Sequence, residues 1–441
     1  MLLYDLGILL YRQGIRIASH TSNVKVRALN AGLDNTFSIL AEKRDPADRY
    51  IWIHAASLGE FEQGRPLIEM VRRRRPELKI ALTFFSPSGY EVRKGYAGAD
   101  IICYLPIDTP RNVGRFLDAL RPEMAIFVKY EFWLNYLKQL RRREIPTYLI
   151  SGIFRPTQLF FRPWGGFYRK ALRAFSHLYV QDKGSVDLLA GIGIDRATAA
   201  GDTRFDRVTD IMRGAHADEL LTRFCGRLPG RDRDARPESA PIFIAGSSWP
   251  EDEKVYFPWL LSGNEAKWVI APHEFDSRRL DAMLSRLDGR GVLLSEARRD
   301  PSLLEGKSVL IIDCFGLLAS AYAYADVAYV GGGFGAGLHN INEAAVYGIP
   351  VVFGPNNAKF IEAREMKECG GGVEVADAEG FRAIADSLLD ATERRRRGDA
   401  AGAYILSRLG ATERIFADLF GDTATSAESR SDKARGESKK I

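Results

Sequence analysis

The sequence predicts an α/β protein made of two open, parallel sheets with helices on both faces. Short apolar runs alternate with longer amphipathic segments from about residue 50 onward, the pattern of parallel strands joined by helical crossovers. The alternation breaks once, between about Asp206 and Ala240, and then restarts. The 441 residues leave room for two such sheets, at roughly 100–200 residues per domain.

The N-terminus comes first. Met1 to Tyr11 is apolar except for Asp5, and Arg12, Arg16, Lys25 and Arg27 follow with no acid before Asp34. A cleaved leader would place its cations before the apolar run and a small-residue site after it, and here the order is reversed. Two readings stand. One is an interfacial helix whose apolar side enters a bilayer while its cations face anionic headgroups. The other is an amphipathic helix packed on its own domain. No run reaches the roughly 18 apolar residues of a spanning helix.

The first βα series has expected strands Tyr50–Ala55, Lys79–Phe85, Ile101–Tyr104, Met124–Val128, Thr147–Ile150 and His177–Val180, with helices such as Pro66–Arg75 and Val113–Leu120 between them. The stretch Pro229-Gly-Arg-Asp-Arg-Asp-Ala-Arg-Pro-Glu-Ser is charged and rich in turn formers and reads as a linker. The second series has expected strands Ile242–Ala245, Lys267–Ala271, Val309–Ile312, Val327–Val330 and Val351–Phe353. From about Asp422 to Ile441 there is no apolar period, so a disordered tail is expected. The expected organisation is an N-terminal membrane-associating segment (1–32), a first Rossmann-like domain (33–210), a linker (211–240), a second Rossmann-like domain (241–421) and the tail (422–441).

Composition narrows the function. The chain is 46% hydrophobic and 27% charged, an ordinary globular balance. Lys and Arg total 62 against 57 acids, an excess too mild to argue for nucleic acid. The four cysteines are scattered with no C-x-x-C pair, which gives neither a disulfide framework nor a zinc site. The histidines are dispersed with no H-E-x-x-H, and neither metal nor cofactor is expected.

Five motifs follow expected strand ends, where open α/β sheets place ligands. Ser57-Leu-Gly59-Glu60 offers a carboxylate as a general base. It also fits a capping box, but Gly64 and Pro66 suggest that the regular helix begins later and leaves Glu60 in a loop. Lys129-Tyr-Glu131-Phe-Trp133-Leu-Asn135 sets a carboxylate among aromatic rings, or simply starts a helix. In Gly246-Ser247-Ser248-Trp249-Pro-Glu-Asp-Glu253 the two serines can donate to phosphate or cap a helix. Val330-Gly-Gly-Gly-Phe-Gly-Ala-Gly337-Leu-His-Asn340-Ile-Asn-Glu343 runs from strand to glycine-rich turn to helix, where free N–H groups favour phosphate and Glu343 can accept from a ribose. Gly331, Gly333 and Ala336 loosely match a dinucleotide fingerprint, but Phe353-Gly-Pro355 stands where its acid belongs. Ala271-Pro-His273 ends a further strand.

As an ordered set these motifs resemble the bacterial Kdo transferase family of lipopolysaccharide synthesis, from the basic N-terminal segment to about residue 420. The family's S-V-G-E appears as Ser57 to Glu60 and its E-T-E-L-W-P-N as Lys129 to Asn135. Its K-F-D appears as Arg204 to Asp206 and its G-G-H-N-x-x-E-A-A as Gly337 to Ala345. Gly348-Ile-Pro350 and Gly354-Pro355 match in place. The resemblance implies a GT-B fold, two Rossmann-like domains facing a central cleft. It also implies inverting transfer of Kdo from CMP-Kdo to a lipid A precursor of the lipid IVA type, without metal, at the cytoplasmic face of the inner membrane. Glu60 matches the general base, with Ser57, Gly59 and Glu131 on the acceptor side. Ser247, Ser248, His273, Asp313, Gly316, Gly337, Asn340 and Glu343 match the donor side, and Arg65, Arg155, Arg162 and Arg169 are candidates for the lipid phosphates.

The chain departs from the family pattern at ligand-contact positions. Lys129 replaces a Glu, Leu134 a Pro, Ile153 the arginine of N-A-R-L-S, and Trp249 a His, while Pro272 runs directly into His273 where P-R-H is usual. These changes keep two alternatives open: a GT-B transferase using a UDP-sugar, and a non-catalytic lipid-binding member.

Overall fold

The computed structural model describes residues 2–21, 23–230, 240–335 and 337–421. The chain divides into two units: Met1–Arg207 closed by a segment from Leu409, and Val208–Arg408. Part of the expected linker, residues 231–239, and the expected tail, 422–441, lie outside the described residues.

The first unit holds β1 (Tyr50–His54), β2 (Lys79–Phe84), β3 (Ile101–Tyr104), β4 (Met124–Val128), β5 (Thr147–Gly152), β6 (His177–Val180) and β7 (Ala197–Ala199). The second holds β8 (Ile242–Ser248), β9 (Lys267–Pro272), β10 (Gly291–Leu293), β11 (Val309–Ile311), β12 (Val327–Val330), β13 (Val351–Phe353) and β14 (Gly372–Glu374). Every pairing is parallel. The orders are β3-β2-β1-β4-β5-β6-β7 and β10-β11-β9-β8-β12-β13-β14. The order therefore reverses at β1/β4 in one sheet and at β8/β12 in the other, and the crevices that bind ligands in doubly wound sheets form at such points. The short strands β7 (Ala-Thr-Ala), β10 (Gly-Val-Leu) and β14 (Gly-Val-Glu) were not expected; none is a continuous run of large apolar residues.

Both faces of each sheet are covered, so β1 is buried throughout, as parallel strands are. Tyr50 and Trp52 enter one layer with Phe116, Phe127 and Tyr136, while Ile51 and Ile53 enter the other with Phe61, Leu67, Ile68 and Val71.

Helix α1 (Leu2–Ser19) and α2 (Val24–Lys43) precede the first sheet. The boundary expected at residue 32 falls inside α2, whose Leu29, Leu33, Thr36 and Leu40 are buried, and Thr36 Oγ1 donates to the Tyr104 carbonyl at 2.8 Å. On α1, Ile15 is buried, whereas Leu3, Leu6, Leu10 and Ile17 are exposed. The tyrosine hydroxyl of Tyr4 donates to Asp108 at 2.6 Å, and Asn135 Nδ2 donates to Asp5 at 2.8 Å. One face of α1 is thus fixed to the unit while another stays apolar and open. No helix among the described residues is long and apolar enough to cross a membrane.

Helix α3 (Leu58–Arg74) corrects the expected start near Pro66. Ser57 caps it and Glu60 completes the capping box, so Glu60 lies in the first helical turn rather than in a loop. Gly64 is no breaker: a Cβ there would lie 3.1 Å from Val128 Cγ2, so it lets the helix approach β4. Phe61, Leu67, Ile68 and Val71 have no exposed surface. Burying such side chains contributes about 1.5–3 kcal/mol each, which together exceeds the roughly 3 kcal/mol that an interior proline costs.

Three further helices matter below: α4 (Leu134–Arg142), α5 (Pro250–Leu260) and α6 (Asn342–Ala345). The last, α7 (Ala411–Phe420), corrects the expected boundary at 421, because the chain re-enters the first unit at Leu409. The reason is a polar clasp. The Asp206 carboxylate accepts from the Gly410 and Thr412 amides at 2.7 Å each and from the Thr412 hydroxyl at 2.6 Å. Beside it, the Arg74 guanidinium lies 5.2 Å from the Phe416 ring centre. Asp206→Ala removes the cap of α7 and is expected to lower stability by about 1–2 kcal/mol. The check is a lower urea midpoint for the transition that reports the first unit.

Candidate functional site

At the β1/β4 reversal, parallel pairing brings the carboxyl ends of the two strands side by side, and His54, Glu60 and Glu131 emerge there. His54 is the last residue of β1, and its side chain has no exposed surface. Its Nε2 lies 3.2 Å from Glu131 Oε2 and its Nδ1 lies 2.9 Å from Thr83 Oγ1. Trp52 Nε1 donates to the same hydroxyl at 2.8 Å. A carboxylate only accepts, so His54 donates through Nε2, while its Nδ1 lies within hydrogen-bond reach of both the Thr83 hydroxyl and, at 3.1 Å, the Thr83 carbonyl. Trp52, Thr83, His54 and Glu131 are thus joined in one hydrogen-bonded chain. Trp133 Nε1 also donates to Glu131, at 2.5 Å, so Glu131 is held from two sides.

Glu60 stands at the start of this arrangement. Its Oε2 accepts from the Ser57 amide at 3.0 Å and the Ser57 hydroxyl at 3.2 Å. Burial raises its pKa above the ordinary glutamate range, and the Glu131 charge raises it further, against the opposing pull of His54 and Ser57. A base with a raised pKa takes a proton more readily near neutrality. Gly59, the second residue of α3, is exposed, and a Cβ there would meet nothing within 4 Å, so the surface beside Glu60 is open.

Six non-glycine residues among those described have positive φ. Arg121, Glu144 and Asp288 simply end helices. Lys129, Ser151 and Ser247 instead lie at the carboxyl ends of β4, β5 and β8, with φ of 67°, 52° and 52°. Such backbone is held only where the surroundings impose it, and it re-aims the chain just before Glu131 and Trp249. Of the basic candidates, Arg65 pairs with Glu69 at 2.6 Å, and Arg169 donates to the Phe160 and Arg162 carbonyls. Arg155 and Arg162 are exposed, whereas Ile153 is buried.

At the β8/β12 reversal the organising group is Asp252, which is fully buried. Oδ2 accepts from the Trp249 amide at 2.8 Å and the Gly332 amide at 2.9 Å, and Oδ1 accepts from the Tyr329 hydroxyl at 3.0 Å. Burial raises its pKa, and these hydrogen bonds oppose the rise. One carboxylate thus ties the turn after β8 to the glycine-rich turn after β12. Sequence reading gave Asp252 no role of its own; its spacing from Trp249, as the third residue of α5, was the available signal.

The donor-side expectations need correcting in detail. Trp249, not a serine, is the N-cap of α5. Ser248 is fully buried, and its hydroxyl accepts from Tyr256 at 3.2 Å, which leaves Ser247 as the partly exposed member of the pair. The glycine-rich turn folds largely onto itself. Gly332 (φ 90°) donates to Asp252, Gly337 N (φ 110°) to the Gly332 carbonyl at 2.9 Å, and His339 N to the Gly331 carbonyl at 3.1 Å. Helix α6 is a single turn, and Asn340 Oδ1 accepts from the Asn342 amide at 3.2 Å. Side chains, more than a row of open amides, face outward here. Asn340 Nδ2 donates to Glu343 Oε1 at 3.1 Å. Asp313 accepts from the Ser295 amide at 3.0 Å, and Gly316 (φ 87°) makes the exposed turn that follows.

Three rings stack beside this turn. Trp249 and His273 lie 4.4 Å apart, and His273 and His339 lie 4.7 Å apart. Trp249 Nε1 donates to His339 Nε2 at 3.2 Å. An indole N–H is only a donor, so the neutral His339 ring carries its proton on Nδ1. Burial, then His273, keeps His339 below its usual pKa. The result is an uncharged donor at the edge of the turn.

The family model for 3-deoxy-D-manno-octulosonic-acid transferase (kdotransferase) matches residues 31–207. A 3-deoxy-D-manno-octulosonic acid transferase of Haemophilus influenzae is 27% identical over 384 residues, covering 84% of this chain and 86% of its own length. One of Bordetella pertussis is 29% identical over 385 residues, covering 82% and 85%. These matches, over more than four fifths of the chain, support a bacterial Kdo transferase. MurG of Acinetobacter baumannii shares the fold, with a TM-score of 0.53 at 11% identity over 84% of this chain and 98% of its own, and the two parallel-sheet units are of the GT-B type.

Within the Kdo transferase frame, sequence reading did not single out His54, although it ends the strand that leads into Ser57–Glu60. Two measurements follow from the geometry. Removing the neighbouring charge in Glu131→Gln lowers the pKa of Glu60, read by carbon NMR of labelled glutamate. Because folded Glu60 holds its proton more tightly than the unfolded chain does, stability falls as pH rises through the folded pKa, and Glu131→Gln flattens that fall. In Trp249→Phe the ring stack persists but the bond to Nε2 is lost, so nitrogen NMR should show the His339 pKa rising and its tautomer no longer fixed.

Proposed function

We propose that this Kdo transferase moves Kdo from CMP-Kdo to a lipid A precursor of the lipid IVA type, with Glu60 as general base. The observation that carries this reading is a half-buried carboxylate of raised pKa, beside an open glycine, at the β1/β4 reversal. The acceptor hydroxyl oxygen attacks the anomeric carbon of Kdo and its proton passes to Glu60. The bond from that carbon to the CMP phosphate oxygen breaks, and CMP leaves with the electron pair. A single displacement inverts the anomeric centre, through an oxocarbenium-like transition state.

Glu131, held by His54 and Trp133, raises the basicity of Glu60 and orients the acceptor. On the donor side, Ser247 and the Nδ1–H of His339 meet the phosphate, and Asn340 and Glu343 meet the ribose. Ser57 and Gly59 border the acceptor, while His273, Asp313, Gly316 and Gly337 shape the donor turn. The open leucines of α1, followed by Arg12 and Arg16, support seating on the cytoplasmic face of an anionic membrane.

Glutamine also completes a capping box, so Glu60→Gln keeps the start of α3 while removing the base. Transfer of labelled Kdo from CMP-Kdo generated in situ should fall by about 10²–10⁴-fold with an unchanged melting curve. A folded variant within about threefold of wild type would discard Glu60 as the base. Trp249 in place of the family's usual His favours keeping a second reading, a transferase for another nucleotide sugar. In competition, UDP displacing a bound cytidine nucleotide more strongly than CMP would select it.

A further inference from the structure

We propose that a cavity of about 490 Å³ in the first unit takes one acyl chain of the lipid acceptor. The inference rests on the lipid-acceptor reading above. The cavity is lined mainly by Tyr4, Phe132, Leu134, Leu159, Phe160 and Tyr168, and its size is in the range of small-ligand sites.

The fold leaves several of these side chains in water. Leu159 is 48% exposed and Tyr168 37%, and Trp164, between them in sequence, is 70% exposed. Apolar surface concentrated around one opening marks a binding site. The wall contributed by Tyr4 belongs to α1, whose Leu3, Leu6 and Leu10 are 87%, 54% and 64% exposed. The helix best suited to meet a bilayer therefore also borders the cavity.

Two polar groups of the wall are already committed. The Tyr4 hydroxyl donates to Asp108, and Gln158 Oε1 accepts from the Arg155 amide at 3.1 Å. A ligand rich in hydrogen-bonding groups would leave them unpaired, whereas an alkyl chain has none to satisfy. Cations stand at the rim. The Lys129 ammonium lies 5.3 Å from the Tyr130 ring centre. Burial raises the Tyr130 phenol, Arg155 and Arg204 pull it back down, and Asp202, which pairs with Arg204 at 2.8 Å, and Glu60 push it up. An apolar slot with a basic rim suits a chain attached to an anionic headgroup. Phe132 lines the cavity one residue after Glu131, so a chain seated there draws its headgroup toward the carboxylate pair.

The test uses the full chain in detergent. Thr157→Trp narrows the cavity from an exposed rim position, and Leu159→Asp places a charge at its opening. The expected result is an acceptor KM at least about tenfold higher for a tetraacylated acceptor, an unchanged KM for the nucleotide-sugar donor, and an unchanged acceptor KM for the same disaccharide stripped of its ester-linked chains. An unchanged KM for the acylated acceptor in both folded variants would overturn the inference. A second arm is independent of transfer: a fatty acid with a terminal diazirine, photolysed with wild type in micelles, should label the peptide spanning Thr157–Tyr168. If wild type transfers nothing yet this peptide is labelled, the activity reading fails and the cavity assignment stands. Labelling confined to α1 or spread over the surface would sink the cavity assignment.

Discussion

The structure depends most on the reversal of strand order that occurs once in each sheet. In a parallel sheet every chain must cross over a face to reach its neighbour. Where successive crossovers leave by opposite faces, the carboxyl ends of two adjacent strands are left uncovered. Here those pairs are β1/β4 and β8/β12. Glu60 follows β1, Glu131 follows β4, Trp249 follows β8 and the glycine-rich turn follows β12. The strands are mostly apolar, and their polar side chains at the site, His54, Thr83, Ser247 and Ser248, lie at or near the carboxyl ends beside these loops.

Buried polar groups then hold the loops in shape. Asp252 joins the turns after β8 and β12, Thr83 anchors His54 beside Glu131, and Asp206 returns α7 to the first unit. Each such group is costly to bury and costlier to leave unpaired, so each fixes one arrangement of backbone. Asp108 plays the same part for α1. It accepts from the Asn135 and Tyr136 amides at the start of α4 as well as from Tyr4, and burial raises its pKa to about 6. This explains how an otherwise exposed helix keeps a fixed face toward the unit.

The long buried strands were legible because continuous apolar runs between turn formers have few alternatives. The short edge strands β7, β10 and β14 were not, since Ala-Thr-Ala, Gly-Val-Leu and Gly-Val-Glu are not runs of large apolar side chains as Val351–Phe353 is. The site was legible as loops at strand ends, but not in its hydrogen bonding. Gly64 and Pro66 suggested a late helix start, although Gly64 serves close packing on β4 and the Ser57–Glu60 box sets the start earlier. The serine pair looked like a helix cap until the structure ran β8 through Ser248 and buried its hydroxyl. Asp206 sat in a family motif yet works by clasping residues some two hundred positions away, a contact that no local pattern encodes. His54 was overlooked because a single histidine at a strand end has no signature until Thr83 and Glu131 are placed around it.

The central claim is that nucleotide chemistry belongs to the β8/β12 reversal of the second unit. Amide exchange followed by mass spectrometry, with and without saturating CMP, tests it most directly. Protection concentrated in the peptides carrying Ser247–Trp249 and Gly331–Glu343, with Tyr50–Glu60 unaffected, is what this account predicts. Protection centred on the first unit, or none in the two turns despite measurable CMP binding, would contradict it.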